Sequence, residues 1–290
     1  MAVLFGPSGC GDEFYAQGNK SIMQVPAWVK NYGLDAYEYS FGHGFNMSTE
    51  TASKAGQLFK ENGLAVSIHA PFYINFANPS EEMYAKTRGY IYTSVRFIKA
   101  FGGDRVVFHP ASCGKLSREE AVKLTSERFR ETFDKMEEDG LLDGIYLCPE
   151  TMGKSMQIGN YKEVVDLCTL NSHLIPTFDF GHINALGQGC LKNKEDFARV
   201  YDYCIEKLGF ERASKAHVHF SKIQYGDKGE IRHLNFDDQI YGPDFLPFAE
   251  VIIEYKLSPH VICESMTDMP KDALQMKKIY KNLLDKQKDI

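Results

Sequence analysis

Six apolar runs in this chain each lead to a side chain that can hold a metal ion. Val66-Ser67-Ile68 runs into His69, and Val106-Val107-Phe108 runs into His109. Ile145-Tyr146-Leu147 leads to Glu150, and Ile175-Pro176-Thr177-Phe178 leads to Asp179, with His182 three residues on. Val218 and Phe220 flank His219, and Val261-Ile262-Cys263 ends at Glu264. Imidazoles and carboxylates in this mixture suit zinc or a similar first-row metal. Two or three divalent ions about 3.5–4 Å apart can share a bridging carboxylate and make water nucleophilic near neutral pH. They also stabilise both the attacking and the leaving oxygen of a phosphoryl displacement. Glu150, central in the order, is the candidate bridge. A carboxylate at a buried strand end is expensive unless paired or metal-bound, the plain alternative being a salt bridge to an Arg or Lys.

A strand whose end offers a ligand, repeated many times, is how a (β/α)8 barrel builds a site, because its catalytic groups come from the C-terminal ends of different strands. Eight runs read as strands: 3–5, 36–39, 65–69, 105–109, 145–147, 174–179, 216–220 and 260–264. Helix-compatible segments lie between them, with apolar positions such as Met83, Ile91, Val95 and Ile98, or Val122, Leu124, Phe129, Phe133 and Met136. Ser117-Arg118-Glu119-Glu120 is a helix start with a capping box. Strand-helix alternation predicts an α/β fold with a parallel sheet, and eight repeats favour a closed TIM barrel. At 290 residues the chain fits one such domain, 1–290. Gly6-Pro7-Ser8-Gly9-Cys10-Gly11 lacks the Lys-Ser/Thr of a phosphate-binding loop, and no Gly-x-Gly-x-x-Gly follows the first strand. The polar stretch from Ile223 to Gly242 is expected to be a lid or ligand-bearing loop.

Composition narrows the class. Hydrophobic residues make up 43% and charged residues 25%, ordinary for a soluble globular protein. No apolar run approaches the ~18 residues of a membrane span and no leader-like segment opens the chain, so a cytoplasmic location is expected. A monomer is the expected oligomeric state. Seven cysteines without a Cys-x-x-Cys pair read as reduced thiols. Cys148 and Cys263, beside Glu150 and Glu264, read as packing rather than as soft ligands. A net charge of -6 argues against polyanion binding by bulk electrostatics, while leaving room for a local basic or metal-rich face.

The ligands differ in context. His69 and His109 both leave their strands through a proline, directly or one residue later, and the residue before proline is held extended. A lone strand-end histidine is more often structural; two with the same exit on adjacent strands point to ligands. Asp179 and His182 are read as lying across a turn, close enough to serve neighbouring metals. His217 and His219 point to the same side of one strand, so at most one is a direct ligand. His43, His173 and His260 lack such context and read as ordinary.

At these residues the chain resembles the endonuclease IV family, zinc-dependent apurinic/apyrimidinic endonucleases built on a xylose-isomerase-like TIM barrel. His69-Ala70-Pro71-Phe72-Tyr73-Ile74-Asn75-Phe76-Ala77 is similar to the family's His-Ala-Pro-Tyr-Leu-Ile-Asn-Leu-Ala, and Val107-Phe108-His109-Pro110-Ala111-Ser112 to its Val-Phe-His-Pro-Gly-Ser. Glu150-Thr151, Asp179-Phe180-Gly181-His182 and Glu264-Ser265 fall where its remaining pieces fall. The resemblance implies a first metal held by His69, His109 and Glu150. A second is implied at Glu150, Asp179, Glu264 and the strand histidine, for which His219 fits the local pattern and His217 a gapped one. A third is implied at His182 and His233. There the family has Asp-Arg-His, whereas this chain has Glu230-Ile231-Arg232-His233, so the carboxylate comes from Glu230, out of step by one residue, or from Asp227. The family's Arg-containing loop after strand 2 is replaced by Ser40-Phe41-Gly42-His43-Gly44-Phe45.

The resemblance implies a DNA-repair hydrolase: a phosphodiesterase using two or three Zn2+ (with Mn2+ as the alternative metal) that cuts double-stranded DNA on the 5′ side of an abasic site. It would leave a 3′-hydroxyl and a 5′-deoxyribose phosphate, with Phe72 and Tyr73 stacking in the gap. The competing expectation is a sugar isomerase or epimerase on the same barrel, using one metal held by Glu150, Asp179, His219 and Glu264. A third is metal binding without catalysis.

Overall fold

Short apolar segments, rich in Val, Ile and Phe and bounded by glycine and polar turns, form eight buried parallel strands, as such composition dictates. The computed structural model describes residues 2–288. In chain order the strands are β1 (Leu4–Pro7), β2 (Ala36–Ser40), β3 (Ala65–His69), β4 (Arg105–Phe108), β5 (Tyr146–Pro149), β6 (Thr177–Asp179), β7 (His217–Phe220) and β8 (His260–Cys263). Pairing runs β2-β3-β4-β5 and β6-β7-β8-β1, every pair parallel. Single bridges close the two remaining seams, Ser8 to Glu38 on one side and Leu147 to Leu174 with Glu150 to Thr177 on the other. The ring is a (β/α)8 barrel. Gly6 makes the first seam possible: a Cβ there would lie 2.0 Å from the Ala36 carbonyl oxygen.

Helices cover the outside, among them Thr49–Glu61, Glu81–Phe101, Arg118–Glu138, Lys194–Leu208 and Met269–Lys288. Ser117 caps its helix as the sequence predicts, accepting from the Glu120 N–H while Glu120 accepts from the Ser117 N–H. Ser48 and Ser80 cap theirs with the hydroxyl alone, accepting from the Thr51 and Met83 N–H, so strand-to-helix turns are set by local chemistry. Rings of Phe76, Phe108, Phe129 and Phe133 pack between strand and helix on one side, and Phe180, Phe197, Phe220 and Phe248 on another. Full burial of each such side chain contributes about 1.5–3 kcal/mol. All seven cysteines are free thiols, Cys148 and Cys263 buried. Among the described residues no helix is long and apolar enough to cross a membrane.

Two segments differ from expectation. Strand six pairs continuously only over Thr177–Asp179, because Pro176 has no N–H to give the ladder; Leu174 keeps one isolated bridge. The stretch from Ile223 is not an irregular lid. Lys222–Gly226 and Gly229–Leu234 form an antiparallel hairpin with a bulge, which fixes the segment's side chains against the barrel mouth.

Candidate metal centre

Strands β3 to β8 deliver their end residues to one rim. Glu150, just past β5 and almost fully buried, sits in the middle. Its Oε2 lies 3.0 Å from His69 Nε2 and 3.3 Å from His109 Nε2. Its Oε1 lies 3.1 Å from His219 Nδ1 and 3.5 Å from His182 Nδ1. Each carboxylate oxygen therefore faces a different set of imidazoles. Glu264 Oε2 reaches His219 Nδ1 at 3.2 Å. The backbone fixes the rings: His69 Nδ1–H donates to the Ala70 carbonyl at 2.8 Å, turning Nε2 inward. His182 Nδ1–H donates to the Thr151 carbonyl at 2.9 Å, which leaves Nε2 facing the hairpin.

Asp179 and His182 are not separated by a turn, as the sequence alone suggests. Asp179 is the N-cap of the short helix Phe180–Leu186, and its Oδ1 accepts from the His182 N–H at 2.7 Å. Its Oδ2 is buried without a hydrogen-bond partner. A solitary buried carboxylate oxygen amid imidazoles is what a cation ligand looks like before its ion binds. Among the described residues four groups have donor atoms close enough to share an ion: His69, His109 and Glu150; Glu150, Asp179, His219 and Glu264; Asp179, His182 and His233; and Glu38, His217 and His219. The donor set of the first three fits zinc.

The hairpin brings His233 and Glu230 to the same place. The His233 and His182 ring centroids are 5.2 Å apart, and Glu230 Oε2 lies 3.4 Å from His182 Nε2. Residues three apart on a regular strand face opposite ways. The register pairs Tyr225 with Glu230 and Gln224 with Arg232, leaving Ile231 as an extra residue, half-exposed and unpaired. This bulge restores the parity that the sequence shifts, and puts Glu230 and His233 on one face. Close approach depends on two glycines. A Cβ on Gly153 would lie 2.7 Å from Glu230 Cβ and 2.9 Å from His182 Cδ2; one on Gly229, at φ +97°, would lie 2.0 Å from the Gly153 carbonyl.

Burial alone would raise the Glu150 carboxyl, but His219, His109 and His69 more than reverse that and hold it well below the usual carboxylate range. Glu264 is likewise pushed down to about 2, His219 outweighing burial. Burial disfavours a charged His182, yet Asp179, Glu150 and Glu230 bring it up to about 9. Burial raises Asp179. Neighbouring carboxylates also overcome burial at His69 and His219 and raise both. Without metal these three imidazoles are drawn toward their protonated forms, and a bound metal would have to displace those protons.

His219 faces the rim cluster, and His217 lies deeper in the barrel against Glu38, 3.0 Å away. Glu38 is the residue that sequence reasoning misses. It is buried in mid-strand β2, and a carboxylate between two tyrosines, on the same strand face as Ser40, is the available signal. Phe72 and Tyr73 are half-exposed at the mouth; the Phe72 ring stacks on His109 at 5.5 Å, and Tyr73 Oη lies 3.5 Å from His43 Nδ1. The mouth is a cavity of about 440 Å3, with Lys154, Gln157 and Met152 among its walls.

A family described as a xylose isomerase-like TIM barrel matches residues 26–285. An uncharacterized protein of Methanocaldococcus jannaschii is 31% identical over 290 residues, covering 98% of both chains. A probable endonuclease 4 of Acholeplasma laidlawii is 26% identical over 248 residues, 82% of each chain. The structure of endonuclease IV from Thermus thermophilus superposes with a TM-score of 0.68 at 16% identity, covering 97% of this chain and 98% of that one. An L-ribulose 3-epimerase superposes with a TM-score of 0.69 at 11% identity, covering 99% and 97%. The chain belongs to the family of xylose isomerase-like TIM barrels that its motifs pointed to, that of endonuclease IV.

Proposed function

We propose that this protein is a zinc-dependent phosphodiesterase of the endonuclease IV type, a monomer of one barrel domain acting on abasic sites in double-stranded DNA in the cytoplasm. One observation carries the reading: Glu150 presents Oε2 to His69 and His109 and Oε1 to His219, so one carboxylate could serve two neighbouring ions. His69, His109 and Glu150 would hold the first ion; Glu150, Asp179, His219 and Glu264 the second; and His182, His233 and Glu230 the third. Ions held there would lower the pKa of water and offset negative charge on the entering and leaving oxygens of a phosphodiester. The protein's own residues do the rest. His69 and His182 are locked in orientation by backbone carbonyls. Phe72, lying over His109, offers a flat face to a nucleotide turned out of the duplex. Lys154, half-exposed and 3.9 Å from Glu230, places a cation at the mouth where a phosphate would enter.

A second reading has its own support. Glu150, Asp179, His219 and Glu264 form a self-contained group, enough for a one-metal sugar epimerase. His69, His109, His182, His233 and Glu230 have no task in that chemistry. Incubation of the purified protein with an abasic-site duplex and with ketoses, each with and without chelator, separates the two. The proposal requires chelator-sensitive incision 5′ to the lesion; epimerisation without incision would replace it.

A further inference from the structure

Beneath the rim, inside the barrel, three polar residues with no role in the proposed chemistry, Glu38, Ser67 and His217, meet the metal-facing His219. They come from β2, β3 and β7, and all four side chains are buried among strands. Glu38 Oε1 is 2.8 Å from His219 Nε2, and its Oε2 is 3.0 Å from His217 Nε2. Both approaches lie off the line of the ring N–H, so neither is an aligned hydrogen bond. A carboxylate oxygen and a ring nitrogen this close must still share a proton or a cation, because two lone pairs repel.

A proton fits better. Ser67 already donates to Glu38 Oε2 at 2.8 Å, occupying that oxygen. An ion would find only three protein ligands, wholly buried. The lower set is placed by strand register alone: Glu38 is opposite Ser67, and its backbone bridges to Ser8 across the barrel seam.

We propose that Glu38 is a positioning residue for the metal centre, assisted by His217. It holds His219 in the Nε2–H form, and that leaves Nδ1 bare where it faces Glu150 and Glu264. His217 and Ser67 hold the carboxylate in place by occupying its other oxygen. Histidine ligands commonly give their second N–H to a carboxylate, and loss of that partner typically lowers metal affinity 10–100-fold. The inference rests on His219 being a metal ligand.

The test uses the whole protein labelled with 15N-histidine, with Zn2+ as the only added metal. In the zinc-loaded wild type, His219 should show a protonated Nε2 and a metal-bound Nδ1, and His217 a protonated Nε2. In the isosteric Glu38→Gln variant, competition with a chelating dye should show one ion weakened about 10–100-fold, the others remaining as tight as before. His217→Phe, which keeps the site filled without a second imidazole, should retain every ion. Unchanged zinc affinity in a folded Glu38→Gln variant would overturn the inference, as would a bare Nε2 on His219 in the wild type. Loss of a whole ion from His217→Phe would also overturn it, because Glu38, His217 and His219 would then be a metal site themselves. A wild type that takes up no zinc would strike down the metal centre as well, which separates the two failures.

Discussion

Deleting Ile231 should leave the third metal site intact, although it removes a residue from between two of its ligands. In the hairpin Ile231 is the bulged residue, paired with nothing. Glu230 is anchored by its N–H to the Gly153 carbonyl at 2.9 Å, and His233 by its Nδ1 against Ser221 Oγ at 2.7 Å. Deletion converts the spacing from three to two, and a regular strand places residues two apart on one face at about 3.3 Å rise per residue. Ile231 is 56% exposed, so its loss forfeits on the order of 1 kcal/mol of the 1.5–3 that full burial is worth, too little to unfold the barrel. Inserting one alanine between Ile231 and Arg232 does the opposite. With the one-residue bulge kept, a spacing of four turns Glu230 and His233 to opposite faces, and with the strand regularised it sets them about 13 Å apart along it, so either way the third ion should lose tenfold or more in affinity, ~1.4 kcal/mol. Zinc titration of the two variants and the wild type, against a chelator of known affinity, reads the difference. A deletion that strips the third ion, or an insertion that spares it, would refute the parity argument.

Further outcomes rest on the same geometry. Glu150→Gln removes a negative charge shared by four imidazoles; incision of an abasic duplex should fall by about 10²-fold or more while the circular dichroism spectrum persists. Gly153→Ala drives a Cβ into Glu230 and His182, so mild chelation should remove the third ion and leave the other two. In the metal-free protein, His182 is raised from 6.5 to about 9, so its contribution to stability is complete below about pH 6.5 and lost as pH rises through 9. Glu264, lowered from 4.5 to about 2, contributes fully above 4.5 and loses this as pH falls toward 2. Thermal unfolding should therefore be best resisted between those limits without metal, and the alkaline loss should vanish on loading with zinc.

Much of this is readable in sequence because a barrel puts its site at strand ends, and a strand end is a local feature. His69, His109, Glu150, Asp179, His219 and Glu264 each follow an apolar run, and the structure gathers them at one rim. The capping box at Ser117 is equally local and appears as expected. Non-local features are not legible. Glu38 meets His217 and His219 only through the closure of the barrel, which no spacing along the chain encodes. The hairpin hides behind Gly226-Asp227-Lys228-Gly229, whose polarity reads as loop although Lys222-Ile223-Gln224-Tyr225 alternates as a strand should. The Asp179 cap reads as a turn because a seven-residue helix leaves little periodicity.

The central claim is that this rim holds several ions and uses them on a phosphodiester. Metal content of the purified protein, measured alongside incision of an abasic-site duplex by the same sample, tests it most directly. About three zinc ions per chain, with incision 5′ to the lesion that chelation abolishes and zinc restores, is the predicted result. One ion per chain and an intact duplex would contradict it.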